Sequence, residues 1–514
     1  MSIESRADKK LLYASSAILF VLCAWPLVLV TLPPYQDVPN LLASVFVIDN
    51  PDLYPELVTN SFFKTNAAVY AWVHFAGALV GRIWAMRLFI VLVLAMNAYA
   101  FPRLVLELGG AKRLFVATFF LAPSVHNWFV SMGMLNFALG VPLALLTIVA
   151  LQAQRRAPTR ARALAITVLA ALTWYAHIVP FAVVLFLFAI ELAVVFFRAR
   201  PEAKTLALHA GLPLALSVGL ALVRRFGDVG SGHHGPPRWT ALWEVPYLLW
   251  AKWAYAFTEL SAATIVSCGL LLVLGVRRWR EPVPFFSPAA LVLLALIYAF
   301  APQTVASWFF ANTRLAPFVW AALLVRVPER LPRPVLVGLA AISLSFSASL
   351  GIDFRRLDAD RAAFDAGISH VPDRARLMPF IFERRGTSVN TDHLVNAWGS
   401  YVLAKRTAAP LVFARSPAYG VTYRERPPPA LDHLALVAAI PPLRDPASYC
   451  ADANIAAAEC IPRWEEAWRA LFALVEPRFS HLLVWGATDE TRTRIPPSYR
   501  VIFTEGKLTI YARD

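Results

Sequence analysis

The stretch LLYASSAILFVLCAWPLVLVTLPPYQDVPN, residues 11–40, decides how the chain is read. From Leu11 to Leu32 it is an apolar run of about 22 residues, enough for an α-helix to cross the hydrocarbon core of a bilayer. A secretory signal has a shorter apolar region of about 7–15 residues followed by a small-residue cleavage site, and no such site follows here. The run therefore predicts a retained signal anchor. Pro33 and Pro34, Tyr35, Gln36, Asp37, Val38 and Pro39 come next, so a carboxylate stands directly at the end of the first span. Asp37 has two readings. It can cap a following helix, since an apolar helical stretch begins at once and Pro39 suits a helix start. Or it is a general base held at the membrane surface, because an acid between apolar segments can have a raised pKa and a defined pose.

The rest of the chain agrees with a membrane protein. It has 514 residues, 58% hydrophobic and only 16% charged, whereas soluble domains run near 45–50% and about 25%. Beyond the first run, apolar segments occur at 84–106, 113–130, 133–152, 163–179, 180–197, 205–224, 258–276, 287–302, 313–326 and 333–350, giving about eleven spans of a polytopic all-α domain over residues 1–350. The segment 67–81, with about 14 apolar residues and His74, is ambiguous by length. Taking it as a juxtamembrane helix puts the basic connections on one side: Lys112 and Arg113, Arg155 and Arg156, Arg198 and Arg200, Arg277 and Arg278, Arg326 and Arg330. The positive-inside rule then makes the N-terminus cytoplasmic and 33–83 a large first outer loop with juxtamembrane helices. The formal net charge of +15 is accounted for by this topology and not by nucleic acid, since no basic domain with interleaved aromatics is present.

Residues 351–514 change character. SHLLVWGA (480–487) and YRVIFTEGKLTIYARD (499–514) alternate, and the latter reads as a β-hairpin around EGK. PRWEEAWRALFALV (462–475) reads as an amphipathic helix with Trp464, Trp468, Leu471 and Leu474 on one face. This predicts an α/β domain of about 160 residues, extracytoplasmic after about eleven spans. There, a disulfide between Cys450 and Cys460 is expected, whereas Cys23 and Cys268 in apolar runs are packing residues.

The outer connections carry the candidate chemistry. LAPSVHNWFVSMGMLNFALG (121–140) brings His126, Asn127 and Asn136, LTWYAHIVPF (172–181) brings His177, and SWFFANTRLAPF (307–318) brings Arg314. Each has a structural reading beside a functional one: a satisfied core histidine, a snorkelling arginine, an ion pair with a loop carboxylate. Polar residues at one depth of a bilayer are functional candidates by default, and a guanidinium fork fits phosphate oxygens. The Gly- and Pro-rich loop 224–239, with Asp228, His233 and His234, is read as a lid over a site and only weakly as a metal site. No Walker loop, HExxH, GxSxG or GxGxxG in a strand–helix setting occurs. The chain thus shows no nucleotide pocket, and an activated lipid donor would need none.

An acid after the first span (Asp37), interfacial helices in that loop, about eleven spans, RLAPF (314–318) opening a late helix and an outer C-terminal domain together resemble the GT-C superfamily of bacterial membrane glycosyltransferases, which use polyprenyl-phosphate-linked sugars. The resemblance covers about residues 10–350 and implies a sugar transferase, of inverting type, at the outer face of the cytoplasmic membrane. It implies Asp37 as the general base, Arg314 at the donor phosphate, and His177, His126, Asn127, Asn136 and Gln36 as substrate-binding residues. Its partners are the lipid-linked donor and membrane lipid, with no nucleic acid. Many members carry paired acids in this loop, as DD, DE or DxD. Here Val38 and Pro39 follow Asp37, so no metal ligand is assigned, and a divalent cation is the one cofactor left open. The alternative class is a non-enzymatic lipid-linked saccharide transporter or assembly factor. A transporter needs a polar path through the membrane, and Glu191 is the one acid deep in an apolar run.

Overall fold

The structure, a computed structural model, describes residues 5–223, 237–305, 309–408, 410, 412–414 and 416–513. The chain runs α1 (Arg6–Ala24), α2 (Val38–Asp49), β1 (Leu57–Thr59), α3 (Ala68–Val80), α4 (Arg82–Gly109), α5 (Ala111–Thr118), α6 (Ala122–Val125), α7 (Trp128–Ser131), α8 (Leu135–Arg156), α9 (Arg160–Ala176), α10 (Ile178–Arg198), α11 (Arg200–Leu206), α12 (Leu212–Val223), α13 (Val245–Ala251), α14 (Thr264–Arg277), α15 (Pro288–Phe300), α16 (Ala316–Leu324) and α17 (Arg333–Asp365). After it come β2 (Leu377–Ile381), α18 (Gly399–Lys405), β3 (Val421–Tyr423), α19 (His433–Ala439), α20 (Pro446–Ala453), α21 (Ala457–Val475), β4 (His481–Trp485), α22 (Asp489–Arg492), β5 (Tyr499–Glu505) and β6 (Leu508–Arg513). By contacts the chain forms two units. The first holds Met1–Thr31, Phe62–Trp72 and Trp84–Asp353; the second holds Leu32–Ser61, Val73–Ile83 and Phe354–Asp514.

The first unit is an all-α membrane domain. Among the described residues, six helices of the chain are long and apolar enough to cross a membrane, and shorter apolar helices accompany them. The most enclosed is α8, with 89% of its apolar window buried against 33% for α1, as expected of a helix apolar on every face. The expected span 113–130 is not one helix. Pro123 restarts the chain as α6, the Asn127 side chain caps α7, and Gly133 turns with φ +77°, so three short helices replace one long one. A π turn, Ala207–Gly211, joins α11 to α12.

At the ends of α4, α8, α10 and α14, glutamates are bound by arginines. Glu107 accepts from Arg156 and, at 3.1 Å, from Arg103. Glu191 pairs with Arg155 at 2.5 Å and takes the Phe285 N–H at 2.8 Å. Glu281 pairs with Arg113. Arg326 is fully buried and donates to the carbonyls of Ala322, Glu281 and Phe286. The acid that stood deep in an apolar run is thus a member of a structural ion pair.

The second unit is α/β. Its four-stranded sheet has the order β2-β4-β6-β5, with β2 parallel to β4 and the other pairs antiparallel. β2 and β4 are buried at every position, so both read as continuous apolar runs. The hairpin expected around EGK is present: Glu505 pairs with Leu508 across Gly506, which takes φ +54°. α21 lays Trp464, Trp468 and Leu471 inward, and Trp468 stacks on Phe472 at 5.5 Å. A disulfide joins Cys450 to Cys460 and ties α20 to the start of α21. Cys23 and Cys268 are free and buried.

Candidate active site

The candidate residues divide between the units. Gln36 and Asp37 belong to the second, and the chain 392–399 grips them there. Leaving the apolar run, the backbone turns through Pro33 and Pro34. Arg361 Nη1 donates to the carbonyls of Leu32 and Pro33, both at 3.3 Å. His393 lies with Nδ1 3.1 Å from the Pro34 carbonyl and Nε2 2.9 Å from that of Leu357. Burial, and then the Arg361 charge, push the pKa of His393 down to about 3. The neutral ring has one N–H, so it donates to one of the two carbonyls at a time. Gln36 Oε1 accepts from the Asp392 N–H at 2.8 Å.

Asp37 stands at the N-cap position of α2 with αR backbone, and its side chain makes no capping bond. The capping reading of this carboxylate therefore falls. Asn396 Nδ2 instead donates to Asp37 Oδ1 at 3.0 Å, and Asp37 is half-buried. Gly399, the first residue of α18, lies so close to α2 that a Cβ there would fall 2.4 Å from the Pro39 carbonyl oxygen. Only glycine lets the two helices approach this closely. The other loop acids are placed elsewhere: Asp49 pairs at 2.5 Å with both His74 Nδ1 and Arg82 Nε, and Asp52 and Glu56 are exposed.

In the first unit, the structure brings His177 and Arg314 together. His177 is the N-cap of α10, its Nδ1 taking the Val179 N–H at 3.1 Å. Arg314 Nη1 lies 2.5 Å from His177 Nε2. The Arg314 guanidinium also sits over Phe137, 5.4 Å from the ring centre, and Phe137 packs edge-on against His177 at 5.3 Å. Gly140 admits this cluster, since a Cβ there would lie 3.0 Å from Pro180 and 3.3 Å from His177.

The remaining candidates are not brought into that cluster. Asn127 caps α7 by accepting the Val130 N–H at 3.2 Å. His126 is buried, with Nε2 3.3 Å from Ser131 Oγ. Asn136 ties the segment before α3 to the start of α8: its Oδ1 takes the Val69 N–H at 2.8 Å and its Nδ2 donates to the Asn66 carbonyl at 2.9 Å. Asp228, His233 and His234 lie outside the described residues. Sequence reasoning missed several neighbours. Asn40 and Asn396 flank Asp37. Lys64 is buried enough to bring its pKa down to about 8. Lys252 places its ammonium 4.3 Å from the Trp128 ring and 5.6 Å from Phe310. Both lysines stand in the sequence only as outer-side charges. Among the described residues, no group of three or more His, Cys, Asp or Glu gathers as metal ligands.

No protein-family model matches the sequence, and no curated protein sequence matches it. Solved structures do. The chain is similar to ArnT from Cupriavidus metallidurans in the apo state, with TM-score 0.56 and 11% identity over 98% of each chain. It is also similar to the same protein bound to undecaprenyl phosphate, with TM-score 0.55 and 11% identity over 97% of each. The likeness is one of fold: along nearly its whole length the chain is folded as this ArnT is. This likeness spans the helices, the first loop and the α/β region alike, further than the motifs in the sequence reach. At this identity the fold is what is shared. What this chain does with it rests on its own side chains.

Proposed function

We propose that the chain is a membrane glycosyltransferase that moves a sugar from a polyprenyl-phosphate-linked donor to an acceptor hydroxyl, with Asp37 as the general base. The observation that carries this reading is local. The Asp37 carboxylate stands at a helix start without capping it and is held by a side-chain amide, on a fold whose solved relative is described bound to undecaprenyl phosphate. In the step, the carboxylate takes the proton of the acceptor hydroxyl. The acceptor oxygen bonds to the anomeric carbon as the bond from that carbon to the phosphate oxygen breaks. The electron pair leaves with the polyprenyl phosphate. A single displacement of this kind inverts the anomeric centre. Arg314, oriented by His177, offers its guanidinium to the phosphate. No step is routed through a cation. The basic connections support a cytoplasmic N-terminus, and with it an outer-face position for Asp37 and for residues 351–514 as an extracytoplasmic domain.

The test is transfer of label from undecaprenyl-phosphate-linked monosaccharides in proteoliposomes. Wild type transfers sugar from one such donor, and Asp37→Asn does not. Movement of the lipid-linked sugar across the bilayer with no turnover of any donor would overturn the reading in favour of a transporter.

A further inference from the structure

The contact on Asp37 is the last link of a directed string of hydrogen bonds in the second unit. The Phe413 backbone N–H donates to Asn40 Oδ1 at 3.0 Å. Asn40 Nδ2 donates to Asn396 Oδ1 at 3.1 Å. Asn396 Nδ2 donates to Asp37 Oδ1 at 3.0 Å. Asn40 and Asn396 are 0% and 2% exposed, so water does not compete for these groups.

The direction of the string is set at its far end. A backbone N–H can only donate, so the Asn40 oxygen faces it and the Asn40 NH₂ faces Asn396. Asn396 must then present its oxygen to Asn40 and its NH₂ to Asp37. Asp37 Oδ1 is left as an acceptor. A proton on that oxygen would set donor against donor inside a buried string, where a misdirected polar group is costly.

We propose that Asn396 and Asn40 are positioning residues which hold the Asp37 carboxylate in its ionised form with Oδ1 as acceptor, so that the proton taken in transfer goes to the other oxygen. This rests on the general-base reading of Asp37. Neither amide touches substrate in this scheme: Asn396 acts through Asp37, and Asn40 acts through Asn396. The string also gives Asn396 and Phe413, far downstream in the chain, a part in the chemistry of the first loop.

The string has a property that packing alone lacks: it can be reversed. Asn396→Asp is isosteric and sets a carboxylate oxygen against Asp37 Oδ1. Asn40→Asp keeps an acceptor for the Phe413 N–H but presents a second acceptor to Asn396. The Asn396 amide then turns, and its oxygen faces Asp37. Both changes disfavour the ionised base. Charged and titratable groups around this exit stay in place in both variants, among them Arg361 with Asp358 and Asp365 beside it, the neutral His393, and Asp392 with Arg385 at 3.5 Å and Arg384 at 3.7 Å.

The experiment measures kcat/KM against pH in proteoliposomes for the full chain, using the undecaprenyl-phosphate-linked monosaccharide that wild type accepts. The acidic limb moves upward by about one pH unit or more in Asn396→Asp and in Asn40→Asp, and activity recovers at alkaline pH. A merely structural role would lower activity equally at every pH. If Asn396→Asp does not fold, Asn40→Asp carries the test, with melting temperature as the check on folding. An unmoved limb in the folded variants, with Asp37→Asn inactive, overturns the string while the general-base reading stands. Wild-type turnover by Asp37→Asn overturns both.

Discussion

Two sets of acids in this molecule are held by different chemistry. At the ends of the helices of the first unit, Glu107, Glu191 and Glu281 are each bound by arginine guanidinium groups. After the first span, in the second unit, the amide of Asn396 is among the partners of Asp37. A guanidinium clamps its carboxylate through charge-assisted hydrogen bonds. An amide fixes direction with a smaller electrostatic effect. The first arrangement suits structure in a place where an uncompensated charge is expensive. The second suits a group that must take a proton and release it.

Four measurements break or sharpen this contrast. The largest effect is expected at Asp37. Asp37→Asn keeps an acceptor for Asn396 and loses the base, so transfer falls by about 10²–10⁴-fold while the melting temperature stays close to wild type. A large loss of stability would return Asp37 to the structural set. Glu191→Leu should do the reverse. It strips Arg155 and the Phe285 N–H of their partner and costs about 2–3 kcal/mol of stability, less than a fully enclosed pair because Arg155 keeps some contact with water. Transfer per folded molecule is unchanged. If that variant loses transfer at full stability, the division between the two sets fails.

Arg314 tests whether a guanidinium can also be functional here. Arg314→Lys keeps the charge and loses the planar fork, and Arg314→Gln loses both. Donor KM should rise in the order wild type, Lys, Gln, by about 10–100-fold at the end of the series, about 1.4–2.8 kcal/mol. Equal KM in all three would exclude the phosphate role. The last measurement is read as a slope against pH and concerns His393. Its pKa is near 3 when folded and near 6.5 when unfolded, so the unfolded state binds the extra proton. Stability from this group is complete above pH 6.5 and is lost as pH falls toward 3. The steepest slope is about 1.4 kcal/mol per pH unit. His393→Gln should flatten the acid side of the unfolding midpoint against pH. An unchanged slope would assign the acid sensitivity to other groups.

Much of the fold was legible because membrane crossing imposes a length and a composition that a linear sequence displays openly. The hairpin at 499–513 and the amphipathic face of Trp464 and Trp468 were visible as local periodicities, and the short helix at 68–80 through the placing of the basic connections. The broken span at 113–130 was not. Its composition is apolar throughout, and what divides it is one proline, one capping amide and one glycine turn.

Residue type and position offered Asp37, Arg314 and His177 as candidates. Asn127 and Asn136 looked equivalent to them, yet the structure spends both on helix starts and loop attachment. A side chain's identity gives its capacity for hydrogen bonds but not the partner that uses it.

The sequence by itself determined that the chain lies in a membrane and that an acid follows the first span, since both depend on neighbours along the chain. It also showed that an α/β region follows the helices. Only the tertiary structure decided that this acid makes no capping bond and meets the amide of Asn396. The decision rests on Asn396, 359 residues away, and on a string of amides whose direction begins at the Phe413 N–H. Hydrogen bonds between distant segments leave no periodicity or spacing in a sequence, so they become visible only when folding brings the segments together.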